Sequence, residues 1–251
     1  VDVGGLVVTV HDITNEDFLN DRWTFGGASG GAGGGGRSGT GGITNQGELL
    51  AGLGGYIALL APHVVNDGVI LAQEGSVALA SGSAISLKFG PQGLVSVLVD
   101  EPVVNALIEN RHLVRAPGGL VVMTAQSANA IFESVINQSG QVEVPSVREV
   151  NGRIVLQAGD RGAANVSGQL NTSSSSGRAG DIHVTGNRVV LEDTAVLEAQ
   201  GASQGGEILV GGSWQGGDPN VQQAQTTVVK KGARLDASGV GTGSGGTVVA
   251  W

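Results

Sequence analysis

The pattern that runs from Ile43-Thr-Asn45-Gln-Gly47 to Gly54-Gly-Tyr56-Ile-Ala58 returns 21 residues later, from Val64-Val-Asn66-Asp-Gly68 to Gly75-Ser-Val77-Ala-Leu79. The shift superposes Asn45 on Asn66, Gly47 on Gly68 and Gly54 on Gly75, and brings Tyr56 onto Val77 and Ala58 onto Leu79. A unit this short cannot bury its apolar face alone. It must stack on copies of itself, so the period decides the fold class before any local propensity does.

Within each copy, short apolar runs such as Tyr56-Ile-Ala-Leu-Leu and Val69-Ile-Leu-Ala are cut by Asn-Gln-Gly, Gly-Gly or Ser-Gly. Glycine and asparagine accept turn conformations at low cost. None of the runs has helix length with a 3.6-residue spacing, so they read as strands. Two or three strands per 21 residues predict an all-β chain: a right-handed parallel β-helix, or solenoid, with coils about 4.8 Å apart. Asn45 and Asn66 either stack as an amide ladder at one corner or each take a turn. Both readings are structural.

Composition fits that architecture. Glycine supplies 45 of 251 residues and aromatics 3%, which suits tight corners around a narrow aliphatic core. There is no three-residue glycine period of the collagen kind, and 40% hydrophobic residues are too many for a disordered chain. The absence of cysteine excludes disulfides and thiolate metal sites. A net charge of −9, with lysine only at Lys88, Lys230 and Lys231, argues against nucleic acid or an anionic membrane as partner. No stretch of 18 apolar residues is present, so no membrane span is expected.

In chain order, residues 1–10 read as a strand, and Thr14 caps a short helix that has Glu16 and Asp17 in its first turn. Residues 26–42 hold eleven glycines in seventeen and read as a flexible loop. After the two clear repeats, Ile85–Val99 reads as a strand pair around Gly90-Pro-Gln-Gly93. Asp100–Glu109 reads as a second short helix, with Asp100 as cap and Val103, Leu107 and Ile108 on one face. Asn110 and Gly119 resume the spacing of Asn66 and Gly75. A third short helix is expected at Ala128–Glu133. From about residue 165, Leu170-Asn, Leu197-Glu and Leu235-Asp each precede a glycine-rich turn closed by a strand, which predicts coils with longer corner loops. Trp214 lies in one of these loops and is either exposed or packed on a coil face.

The wording of several stretches resembles a known family. Tyr56-Ile-Ala-Leu-Leu-Ala-Pro-His-Val-Val-Asn66-Asp-Gly, Leu113-Val-Arg-Ala-Pro-Gly-Gly-Leu-Val-Val-Met-Thr-Ala125 and Gly232-Ala-Arg-Leu-Asp-Ala-Ser238 are similar to filamentous-haemagglutinin-type exoproteins, the TpsA-like adhesins of Gram-negative two-partner secretion. The resemblance implies a secreted, cell-surface β-helix that passes through an outer-membrane transporter barrel. It also implies binding to a host cell-surface protein or glycan, or to neighbouring cells. The family's asparagine-proline secretion motif is not found, and strand-like sequence at both ends fits an interior segment of a longer chain. The whole of 1–251 is expected to be one β-helix segment, with 1–160 resembling the latter part of a two-partner-secretion domain and 161–251 forming further coils.

Two rival functions are open to a β-helix of this kind. A β-helical carbohydrate-active enzyme needs two carboxylates converging on one cleft. The sequence offers Glu16-Asp17 at a helix start and Glu192-Asp193 at a turn, both better explained by capping and solvation. The other rival is an exoprotein that captures haem or a host protein. His11, His63, His112 and His183 show no ligand spacing, although His63 and His112 could meet on adjacent coils. Asn137-Gln-Ser, Asn165-Val-Ser and Asn171-Thr-Ser match the glycosylation pattern, at a rate expected by chance. The loops Ser173–Ser176 and Gly201–Gly206 are read as surface loops. The expectation is therefore a non-enzymatic scaffold with no catalytic, cofactor-binding or metal site residue and no cofactor.

Overall fold

The structure, a computed structural model, describes residues 1–27, 36–90, 93–128, 134–147 and 152–251. Its strands form a right-handed parallel β-helix with three faces. One face is a seven-stranded parallel sheet that climbs from Gly42–Asn45 through His63–Asn66, Leu107–Asn110, Ser134–Gln138, Ala163–Val166 and Arg188–Leu191 to Thr226–Val229. The second face begins with the first half of the long strand Glu48–Leu60 and continues from Val69–Ala72 to Arg234–Asp236. The third face begins with the second half of that strand and continues from Ser76–Ser81 to Thr247–Ala250. The opening strand Asp2–Thr9 lies parallel beneath Glu48–Leu60.

The interior consists of stacked aliphatic columns. Ile57, Val77, Val121, Ile154, Ile182 and Ile208 sit in register on successive coils, and Leu59, Leu79, Met123, Leu156, Val184 and Val210 form a second column beside them. All twelve are fully buried. Each such side chain contributes roughly 1.5–3 kcal/mol relative to exposure.

The amide ladder is present and longer than two rungs. Asn45 Nδ2 donates to Asn66 Oδ1, Asn66 Nδ2 to Asn110 Oδ1, and Asn110 Nδ2 to Gln138 Oε1, each at 2.8 Å. Gln138, one methylene longer, turns its own Nε2 back to the Gly140 carbonyl at 3.0 Å and closes the series. Above it the column becomes Val166, Leu191 and Val229.

The 21-residue alignment holds on the first two faces, where Asn45 pairs with Asn66 and Glu48 with Val69. It fails on the third. Tyr56 pairs with Ser76, not Val77, and Ala58 with Ala78, not Leu79, a shift of 20. Gly54, at a φ of +71°, absorbs the extra residue, and Gly55 rather than Gly54 meets Gly75. The slip has a physical cause. Moving a strand by one residue exchanges its faces, and only the observed register points Ile57 and Leu59 inward.

A second correction concerns 100–109. Asp100 and Glu101 end the strand Gly93–Glu101, Val103 bridges to Ser127, Asn105 takes a positive φ of +64°, and Leu107–Asn110 is a strand. Asp100 accepts a hydrogen bond from Ser86 Oγ instead of capping a helix. The helical spacing of Val103, Leu107 and Ile108 is overridden because Ile108 fills the core column between Val64 and Ile136. The helix expected at Ala128–Glu133 lies outside the described residues, apart from Ala128, which is in a bend. Of the glycine-rich loop 26–42, the described parts are held by contacts. Asp12 N donates to the Arg37 carbonyl at 2.9 Å, and Ser38 Oγ to the Ser83 carbonyl at 2.7 Å.

The predicted strand pair is an antiparallel hairpin, Ala84–Gly90 with Gly93–Glu101, and Trp23–Gly26 adds a third strand to it. This sheet lies outside the coils and covers the third face of the first two. Phe25, Ile85, Leu87, Leu94, Val97 and Val99 form a second core with the outward-facing Ala58, Leu60, Ala78 and Ala80. The first-coil strands therefore need apolar residues on both sides, which is why Tyr56–Leu60 reads as an unbroken apolar run.

Candidate functional surface

The helix expected near Thr14 spans Asn15–Leu19 and stands outside the coils. Thr14 Oγ1 accepts from Asp17 N at 3.0 Å, and Asp17 is buried and bonded to Arg22 Nε at 2.6 Å. Hydrogen bonds to the carboxylate, first from Arg22 and then from the Thr14 hydroxyl to Oδ2 at 2.8 Å, hold the Asp17 carboxyl below the usual range. Glu16 also pairs with Arg22. The Glu16-Asp17 pair is thus committed to fixing this helix. A line of aromatic rings continues from it. Phe18 meets Trp23 at 5.7 Å, Trp23 meets Phe89 at 5.6 Å, and Phe89 meets Tyr56 at 4.8 Å. The rings tie helix, extra sheet and first coil together.

The outer faces of the coils carry rows of charge in register. On the second face, Arg115, Glu143, Asn171, Glu198 and Asp236 follow one another. Arg115 pairs with Glu143, and Arg234 pairs with both Glu198 and Asp236. Hydrogen bonds from Ser238 and then Arg234 hold the Asp236 carboxyl far below its ordinary range. On the third face, Arg153, Asp181 and Glu207 stack in order, with Arg178 on Asp181 and His183 on Glu207 at 3.1 Å. Glu192 of the Glu192-Asp193 turn pairs with Lys230. Each of these carboxylates has a cation or an imidazole as its partner.

The histidines are not brought together. His63 begins a first-face strand and bonds the Asn105 carbonyl at 2.7 Å, whereas His112 lies at the corner beyond the other end of the next strand. Among the described residues, no three His, Cys, Asp or Glu side chains gather into a metal-binding group.

His11 is buried beneath the described end of the glycine-rich loop, and its Nδ1 accepts from Gly39 N at 3.2 Å. Burial lowers its pKa, although a backbone contact to Gly82 and the charge of Asp12 act the other way. His183 is lowered by burial and by the neighbouring Arg153, against Glu207 and Asp181. Both groups bind a proton less readily folded than unfolded. Stability is therefore full above the unfolded value of about 6.5 and falls as pH drops below it. The urea midpoint should be lower at acidic than at neutral pH, and the double substitution His11→Gln/His183→Gln should flatten that dependence. A pH response unchanged in the double variant would remove these two groups as its source.

The loops after the second face, read from the sequence as surface loops, stack on one another. Ser174 bridges to Gly201 and Gly201 to Gly239, while Arg178 bridges to Gln204 and Gln204 to Ser244. Their small residues permit this close approach, and Ser174 and Gly201 are buried as a result. Asn171 Oδ1 accepts from Ser173 N at 2.8 Å, so its amide shapes the turn into this stack. Asn137 and Asn165 are neighbours on the outside of the first face. Trp214 is exposed, at the start of the short 3-10 turn Trp214–Gly216. No helix among the described residues is long and apolar enough to cross a membrane.

No protein-family profile matches the chain, and no curated protein matches it. The structure is similar to the crystal structure of the HMW1 secretion domain from Haemophilus influenzae, with a TM-score of 0.80 and 26% sequence identity. The match covers 95% of this chain and 59% of that one. Over nearly its whole length, the chain is thus similar to part of a secretion domain built as a parallel β-helix.

Proposed function

We propose that this chain is the structural β-helical portion of a secreted two-partner-secretion exoprotein. It passes through an outer-membrane partner barrel and serves at the cell surface as the scaffold of a filamentous adhesin. The observation that carries the reading is the similarity to the HMW1 secretion domain across 95% of the chain. The role is geometric and non-enzymatic. Coils that contact only their neighbours can form in sequence as the chain emerges, each burying the core face of the one before. Protruding parts, the helix with its aromatic line and the loop bearing Trp214, are left to meet host proteins, glycans or neighbouring cells. Support for a scaffold over an enzyme comes from the outer faces, where stacked carboxylates are matched by arginine, lysine or histidine.

The test is export. Deleting the partner barrel from the producing cell should abolish the protein at the surface and in the medium, with its periplasmic pool retained or degraded. Surface levels that stay unchanged without the barrel would reject the reading.

A further inference from the structure

The connection between the third face and the next first-face strand is two residues long after Thr185, but it runs from Gly211 to Gln225 after Val210. This long connection folds back over the third face and encloses a groove of about 400 Å³. Leu209 and Val249, neighbours on adjacent rungs, form its apolar floor. Trp214 and Pro219 form one wall, and Glu207, Asp218 and Thr247 line the remainder.

The wall is braced. Gln223 Oε1 accepts from Ser213 N at 3.2 Å, Gln223 Nε2 donates to Ser213 Oγ at 3.2 Å, and Asp218 N donates to Ser213 Oγ at 3.1 Å. Gln215 holds a left-handed φ of +54° directly after the tryptophan. The loop is ordered, yet it leaves the indole 70% exposed, so the large apolar side chain is held out rather than buried.

We infer that this groove binds a primary alkylammonium group, such as the side chain of lysine. The chemistry of the lining matches that ligand in three ways. The indole face attracts a cation. The floor of Leu209 and Val249 suits a methylene stem that keeps its charged end in contact with polar groups. Glu207 Oε1 is taken by His183 and Asp218 Oδ1 by Asn220, which leaves Glu207 Oε2, Asp218 Oδ2 and the Thr247 hydroxyl for an ammonium's three donors. The net charge of −9 favours the same sign of ligand. A proline-rich peptide would call for several aromatic walls, and this groove has one. The inference goes beyond the export reading and does not rest on it.

The experiment titrates the intact 15N-labelled protein with n-butylammonium, Nα-acetyl-lysine methylamide and, as neutral control, n-butanol. The Trp214 indole N–H signal, assigned by its loss in Trp214→Ala, reports local binding. Both amines should shift it saturably with a Kd of roughly 1–10 mM. The shift should weaken several-fold in about 0.5 M salt. Affinity for the lysine derivative, followed on backbone signals of Leu209 and Val249, should fall about tenfold in Trp214→Ala and in Asp218→Asn. Tighter binding of the lysine derivative than of butylammonium would identify a polypeptide as the source of the ammonium, and equal binding a free amine. Equal shifts from n-butanol, no saturation by either amine, or unchanged affinity in both variants would overturn the assignment.

Discussion

Replacing Asn66 with alanine is expected to lower stability by about 3 kcal/mol, although only one small side chain is removed. Asn66 is fully buried. Its Oδ1 accepts from Asn45 Nδ2 at 2.8 Å and Gly68 N at 3.3 Å, and its Nδ2 donates to Asn110 Oδ1 at 2.8 Å. Alanine leaves Gly68 N and Asn110 Oδ1 without this partner away from water, and Asn45 Nδ2 with only the Val69 carbonyl at 3.4 Å. Each orphaned buried group costs about 1–3 kcal/mol, more than the net contribution of the bond that satisfied it. The chain itself supplies the contrast, since the same column continues as Val166, Leu191 and Val229 with no amides. Replacing Asn45, Asn66, Asn110 and Gln138 together by aliphatic residues should therefore cost less than the four single alanine substitutions summed. Urea midpoints check both statements. An Asn66→Ala protein within about 0.5 kcal/mol of the parent would mean that the ladder only fills space.

Gly180→Ala should cost a similar amount, about 3 kcal/mol, through a different cause. Glycines 55, 75, 119, 152, 180, 206 and 246 stand one above another at the corner that enters the third face. A Cβ on Gly180 would lie 1.9 Å from the Gly152 carbonyl oxygen, the acceptor for Asp181 N at 3.1 Å. The obstacle is backbone, with no rotamer to turn away, so relief requires moving one coil off the next. In a stack where each coil is held only by its neighbours, that loss falls on one interface. Hydrogen exchange should therefore accelerate first at Arg153–Gln157 and Asp181–Thr185. Gly245→Ala is the control, because a Cβ there meets nothing within 4 Å and stability should hardly change. Equal midpoints for the two variants would refute the close-packing account.

Much of this could be read from the chain. The pairing of Asn45 with Asn66, the strands that follow the glycine-rich turns at 180–184, 206–210 and 246–250, the Thr14 cap and the strand pair around Gly90–Gly93 are all local statements. They depend on turn residues, caps and spacing, which a sequence displays directly. The pairing of Tyr56 with Ser76 could not be read, because one glycine more or less in a Gly-Gly corner leaves the repeat equally visible while exchanging the two faces of the strand. The strand at Leu107–Asn110 was hidden by an apolar spacing that suits either a helix or a strand. The groove beside Trp214 is invisible in the sequence for a related reason. Its lining comes from Glu207–Leu209, Trp214–Pro219 and Thr247–Val249, which are separated along the chain and meet only when consecutive coils stack.

The sequence by itself determined the solenoid, its narrow aliphatic core and the amide pairing at its first corner, since each coil repeats the same short-range requirements and a repetitive chain states them several times. Tertiary structure alone decided the register of the third face, the use of 84–101 and 23–26 as a cover over the first coils, and the stacking of the glycine-rich loops. Those outcomes depend on which surfaces are left to bury once the coils have formed. That is a property of the assembled stack and of no single segment in it.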